Sequence, residues 1–330
     1  MSSMSKFKKL AGISAFAFAA MTMANSVNAA NWRYAHEEYE GDVQDVFAYK
    51  FKEYIEENSD HTLQVYRFGE LGESDDIMEQ TQAGILNFVN QSPGFTGSLI
   101  PEAQIFFIPY LMPTDMDTVI EFFRTSEAIN EDFPELYAEK GLELLKMYPE
   151  GEMVVTVDEP VTEPADFNNK KIRVMTNPLL SETYSAFGAT PTPLPWGEVY
   201  PNLVFTKHGW FTTAMMANQD FYNGLSDADK KLVQDAADYA FEEIIVHIDG
   251  LADEALAKIQ KASDEVTVTR LTDEQIQAFK ARAPQVEEKF IEMTGESGKE
   301  LLNQFKQTQK LMKQMSKSRN PMALMKMLKG

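Results

Sequence analysis

Alternating and helical spacings of apolar residues take turns along this chain. Trp32-Arg33-Tyr34-Ala35-His36 reads as an opening strand, and Val43, Val46, Phe47, Phe51, Tyr54 and Ile55 then recur at helical spacing. Thr62 to Phe68 is strand-like, Ser74 to Ala83 reads as a short helix with an acidic first turn, and Leu86 to Asn90 returns to strand. Thr114 is expected to open a long helical stretch, with Asp117 placed for a capping box. Strand-like runs follow at Leu142 to Met147, Met153 to Val157 and Lys171 to Met175. Such alternation predicts an α/β sheet architecture.

The second half turns helical. Ser226 is placed to cap a helix whose Leu232, Val233, Ala236, Ala237, Ala240, Phe241, Ile244, Ile245 and Ile248 keep one face apolar for over four turns. Val266 to Leu271 is one more strand candidate. Thr272 and Gln275 then form a capping box before Ile276, Phe279, Val286 and Phe290. From Lys306 the chain is basic and rich in methionine, and Pro321 interrupts any helix there. A helix to about Met315 followed by a frayed end is the expectation, with attraction to anionic lipid or to the protein's own acidic surface as the sharper alternative.

The first thirty residues stand outside this pattern. Lys6, Lys8 and Lys9 precede an uncharged apolar run from Leu10 to Met23, and small residues lead to Ala29. This predicts an export signal at 1–29 and export of the remainder. The apolar run is short for a membrane anchor, and no later segment approaches membrane-spanning length.

Composition narrows the function. The chain has 330 residues, 44% apolar and 25% charged, as soluble globular proteins do. Its 51 acidic against 30 basic residues give a net charge of −21, which argues against binding nucleic acid. Self-repulsion at that charge favours a monomer. With no cysteine, thiol catalysis, disulfides and Cys-ligated metal or iron–sulfur centres are excluded. His36, His61, His208 and His247 lack metal-binding spacing and read as structural or exposed, so no metal and no cofactor is expected. The glycine spacing of Gly295-Glu296-Ser297-Gly298-Lys299 is wrong for a phosphate loop, and the mature chain has no G-x-S-x-G elbow. Carboxylate pairs abound but read as a solvated face. No catalytic residue is assigned.

A binding constellation stands out instead. Alternation in Lys171-Ile172-Arg173-Val174 points Arg173 away from its apolar neighbours, and a guanidinium suits a carboxylate through two parallel hydrogen bonds. An arginine on a solvated strand face is equally compatible with the pattern. Trp196 lies in a proline-stiffened loop, and Phe95 and Phe211 lie near glycines; core packing is the plainer reading of each.

Several motifs point the same way. Arg67-Phe68-Gly69-Glu70-Leu71-Gly72, Lys171-Ile172-Arg173-Val174, Asn223-Gly224-Leu225-Ser226 and the run from Ala189 through Pro195-Trp196-Gly197-Glu198-Val199-Tyr200 resemble the DctP family. These are the extracytoplasmic solute-binding proteins of TRAP transporters. The likeness covers about Asn31 to Phe305. The stretches Asn31 to Asp42, Gln91 to Gly97 and His208 to Thr213 resemble its ectoine-binding branch most.

The resemblance implies a two-domain periplasmic-binding-protein fold with a central cleft and a long helix crossing both domains. It implies a first lobe at 30–150, to which parts of 219–285 return, a second lobe at 151–218, and a helical 219–305. The implied function is capture of ectoine or hydroxyectoine, a zwitterion, and its delivery to TRAP permease subunits. Arg173 then holds the carboxylate, Glu38 faces the ring cation, and Phe95, Trp196 and Phe211 complete the pocket with cation–π and apolar contact worth roughly 0.5–2 kcal/mol per good pair. One departure is large. After Tyr200 the family continues into a segment that supplies a strand, a helix and a ligand-contacting asparagine; here Tyr200 runs directly into Pro201. Another small organic acid as ligand, a secreted hydrolase using Glu or Asp pairs, and a binder disabled by the missing segment are the alternatives.

Overall fold

Burial follows the predicted alternation at once. β1 (Asn31–Ala35) buries Trp32, Tyr34 and Ala35 and exposes Asn31 and Arg33. The computed structural model describes residues 29–157, 159–193, 203–262 and 267–317. The expected export signal, apart from Ala29, and the chain beyond Lys317 lie outside those residues. After β1 come α1 (Val43–Asn58), β2 (Thr62–Tyr66), α2 (Ser74–Gln82) and β3 (Phe88–Gln91). α3 (Pro93–Thr96) is a single turn, followed by a 3-10 stretch at Pro101–Phe107.

The expected long helix from Thr114 is instead two. α4 (Met116–Thr125) and α5 (Phe133–Ala138) are joined through a π turn at Ala128–Asp132. Asp115, not Thr114, caps α4, accepting from the backbone N–H of Thr118 at 2.9 Å, so Asp117 forms no capping box. Strand β4 (Leu142–Glu152) runs five residues past its expected end at Met147 and is followed by β5 (Val155–Thr156). Then come β6 (Lys171–Val174), α6 (Pro178–Phe187), β7 (Thr190–Pro193), β8 (Leu203–Phe205) and β9 (Trp210–Asn218). The chain continues with α7 (Gln219–Gly224), α8 (Asp227–Ala262), β10 (Val268–Arg270), α9 (Asp273–Lys280) and α10 (Ala283–Lys317). Two caps form as read: Ser226 Oγ accepts from Asp229 N–H ahead of α8, and Thr272 and Gln275 form a reciprocal box on α9. α10 is broken at Gly295, whose φ of 70° is a left-handed value that suits glycine.

Five strands form one sheet in the order β2-β1-β3-β9-β4, parallel from β2 to β3 and antiparallel from β3 to β4. Its core holds Tyr34, Phe47, Phe51, Phe88, Met216 and the apolar face of α8 as far as Ile248. Beyond that residue α8 reaches β10, where Asp253, Leu256, Ala257 and Gln260 flank a groove with Val268 and Arg270. A second core gathers Phe107, Val155, Phe167, Ile172, Val174, Tyr184, Phe187 and Phe279. Among the described residues its strands fall into two small sheets, β10-β8-β5 and β6-β7. The molecule is thus an α/β protein with two cores, bridged by chain crossings around Tyr110, Glu152 and His208. Among the described residues no helix is long and apolar enough to cross a membrane.

Candidate functional site

The loop between β1 and α1 carries Glu38 and is held at several points. Buried Gln44, in the first turn of α1, donates its backbone N–H to Glu38 Oε2 at 2.8 Å and its side-chain amide to Glu150 Oε1 at 2.9 Å. Thr213 on β9 donates its hydroxyl to the same Glu150 oxygen. Behind the loop, His36 Nδ1 accepts from the N–H of Glu38 at 3.3 Å, which places the ring proton on Nε2, 3.3 Å from Asp45 Oδ1. Asp45 also takes Arg67 Nε at 2.8 Å and the N–H of Gly41 at 2.9 Å. Burial pushes Asp45 up, but the His36 contact and the Arg67 hydrogen bonds win and hold it well below the usual carboxylate range.

The carboxyl groups on the site side behave oppositely. Burial pushes Glu38 well above the carboxylate range, and the neighbouring Glu150 charge adds to this. Glu150 is raised by burial too, with the Glu38 hydrogen bond opposing. Glu37 is pushed up to about 8, again chiefly by burial. These carboxylates are therefore not the solvated face expected from the sequence: Glu37, Glu38 and Glu150 gather at the end of β1, each only partly exposed.

Glu37 ties this loop to the Phe95 turn. Its Oε2 accepts from the N–H of Ser92 at 2.9 Å, and Ser92 caps the turn through Gly94 N–H at 3.1 Å. The turn presses on the strand that carries Arg173. A Cβ at Gly94 would run into Met175 Sδ, two residues past Arg173, and Asn177 Nδ2 donates to the Pro93 carbonyl at 3.3 Å. Close approach requires glycine there. Arg173 lies opposite Thr192 in the β6-β7 pair; Ile172 and Val174 are buried while Arg173 stays partly exposed, as alternation predicts. Burial lowers its pKa below the usual guanidinium value. Phe95 and Phe211 are half-buried and pack, with Tyr110, against the second core. Phe211 and Thr213 share a face of β9, which puts Phe211 on the side of the Glu38 loop. Glu38, Phe95, Arg173 and Phe211 thus sit on elements joined by one chain of contacts; Trp196 lies outside the described residues.

The histidines behave as read from the sequence. His36, His61 and His208 are buried. His61 stacks on Trp32, and His208 lies between Tyr184 and Phe187, where burial lowers its pKa to about 4. Among the described residues no cluster could hold a metal ion.

The family model for bacterial extracellular solute-binding proteins, family 7, matches residues 34–204 and 201–293. The chain belongs to this family. Membership sets its class: a protein that binds a solute rather than transforming it. It is 73% identical over 311 residues to the ectoine-binding periplasmic protein TeaA of Halomonas elongata, covering 86% of this chain and 91% of that one. The ectoine/5-hydroxyectoine-binding periplasmic protein UehA of Ruegeria pomeroyi is 54% identical over 322 residues, 89% of this chain and 95% of that one. The solved structure of the periplasmic ectoine-binding protein from the TeaABC TRAP transporter of Halomonas elongata has a TM-score of 0.83 at 74% identity, over 85% of this chain and 99% of that one.

The alignment lengths bear on the departure after Tyr200. An alignment of 311 positions that occupies 86% of a 330-residue chain leaves residues of the relative facing nothing here. Relative to this family member the chain thus lacks residues inside the aligned region, and the family match divides at 201–204, where Tyr200 runs into Pro201. The sequence reading missed Gln44, Thr213 and above all Glu150. Two of them are common polar types without a motif, and Glu150 is one carboxylate among many.

Proposed function

We propose that this protein captures ectoine or hydroxyectoine in the periplasm and delivers it to the membrane subunits of a TRAP transporter. The observation that carries the reading is the identity of 73% to an ectoine-binding periplasmic protein along most of the chain. The local chemistry supports it. A zwitterion needs a fixed cation, a fixed anion and aromatic faces, and a pocket with few placed charges is the usual small-molecule design. Arg173 supplies the cation for the carboxylate and Glu38 the anion for the ring cation. Phe95, Trp196 and Phe211 supply the faces. An export signal ending at Ala29 accounts for the location, and the net charge of −21 favours a monomer.

Calorimetry with ectoine and hydroxyectoine on the purified chain tests this, with saturable heat for one of them as the expected result. No heat with either, nor with a panel of small organic acids, from a folded sample would overturn it. The missing internal stretch motivates a second reading, a related binder for another small organic acid. Heat with such an acid and none with ectoine would select it.

A further inference from the structure

Glu150 owes its direction to an irregularity in the main sheet. The β4–β9 ladder pairs Pro149 with Thr212 and Gly151 with Phe211, so Glu150 is the extra residue of a bulge. A bulge re-aims a side chain out of the strand's alternation. Here it turns Glu150 toward Gln44, the residue that also holds Glu38. Gln44 grips both carboxyl groups, one by its backbone N–H and one by its side chain, and is itself 1% exposed. The bracket is therefore part of the fold.

Two carboxyl groups held side by side on one buried residue repel strongly when both are charged, and one proton between them removes that repulsion. We infer that Glu150 is a positioning residue for Glu38, and that the pair holds one proton in the empty site and releases it when the cationic part of the solute docks. The inference rests on the proposed reading of Glu38 as the anion that meets the solute's cation. The balance is simple: a neutral carboxyl and a carboxylate, plus a cation bearing N–H groups, give two carboxylates, the bound cation and one proton in solvent. The ligand class follows. A compact delocalised cation with N–H donors replaces the shared proton's bond, whereas a quaternary ammonium has no N–H to offer.

The surroundings favour the protonated pair. Glu37 acts on it from the same loop, Asp42 from the residue before α1, and Tyr148 from β4. His36, just past β1, and His247, on α8, act in turn on Asp42. Gln44 and Thr213 are neutral donors. The upward directions of Glu37, Glu38 and Glu150 agree with this geometry.

The test is calorimetry with ectoine near pH 7 in buffers of different ionisation enthalpy, whose slope counts protons exchanged. About one proton released per solute is expected for the native chain, with affinity rising by up to about tenfold per pH unit below the pair's titration. In Glu150→Gln the slope should fall to near zero, because the amide can donate to Glu38 without a shared proton. Binding heat with zero slope in the native chain would overturn the inference and leave the solute reading standing. Absence of heat in every buffer would overturn both. A readout without solute is the infrared band of a protonated carboxyl, expected in the native protein at neutral pH and weakened in Glu150→Gln. Its absence from the unliganded native protein would also overturn the inference.

Discussion

Gln309, near the end of α10, donates its side-chain amide to the carbonyl of Tyr110 at 3.1 Å and to that of Leu111 at 2.8 Å. Tyr110 has a φ of 63°, a left-handed value rarely adopted by a bulky side chain. It is held from the other side as well, its N–H donating to the His208 carbonyl at 2.7 Å and its hydroxyl to that of Thr206 at 3.2 Å. Tyr110 therefore fastens two crossings between the cores, and Gln309 fastens Tyr110. Met312, one turn further, is 4% exposed.

The end of α10 is thus more than a frayed terminus as far as Met312. Truncation after Phe305 should cost roughly 2–4 kcal/mol, from one buried methionine and two hydrogen bonds. Gln309→Ala alone should cost about 1 kcal/mol. Truncation after Lys317 should leave stability, solute affinity and association with anionic liposomes unchanged. Denaturant titration and liposome flotation at low salt check these values. Equal stability of the two truncated chains would show that the Gln309 contacts are idle.

Arg173→Lys should weaken solute binding about 10–100-fold although the charge is kept, because an ammonium cannot form the two parallel hydrogen bonds of a guanidinium. Titration calorimetry reads the change directly. An unchanged Kd would remove Arg173 from the carboxylate end of the pocket.

Stability should depend on pH in a way set by buried groups. Glu37 titrates at about 8 in the fold against an ordinary 4.5, so between those values the folded chain holds more protons than the unfolded one. Its contribution is therefore lost as pH rises from about 4.5 to 8. His208 works in the opposite sense: titrating at about 4 rather than 6.5, it favours the fold above 6.5 and loses that contribution as pH falls toward 4. Glu37→Gln should flatten the decline on the alkaline side, by on the order of 1–3 kcal/mol at pH 8. Unfolding midpoints across pH 4 to 9 provide the comparison, and an unaltered profile in the variant would exclude Glu37 as its source.

What the sequence made legible was local. The Thr272–Gln275 box, the Ser226 cap and the outward turn of Arg173 between Ile172 and Val174 each depend on neighbours within a few residues. Glu150 was not legible. Its direction depends on a bulge set by pairing with β9, and its partner Gln44 is 106 residues away in the chain. The same holds for Tyr110, whose backbone is fixed by His208 and Gln309 from distant segments. The start expected at Thr114 shifted for a nearer reason: Asp115 accepts from the N–H of Thr118, so the helix starts one residue later than a Thr114 cap requires.

Restoring the missing stretch should strengthen both the second core and the site. Among the described residues the strands around that core form two separate sheets, β10-β8-β5 and the parallel pair β6-β7. Two strands with open edges give little independent stability, and unpaired edges invite association with other chains. Arg173 lies on one strand of that pair and its alignment depends on the other. A chimaera that carries the corresponding internal stretch of TeaA at the break in the family match, residues 201–204, supplies the strand that the family resemblance implies. It should melt several degrees higher, since about 1 kcal/mol shifts Tm by a few degrees in a chain of this size. It should also bind ectoine at least tenfold more tightly, through firmer placement of Arg173 and the asparagine that the family resemblance implies for that stretch. Differential scanning calorimetry and titration calorimetry on the two chains measure both effects. Equal Tm and equal Kd would mean that this chain has adapted to the loss and that its two small sheets are sufficient as they stand.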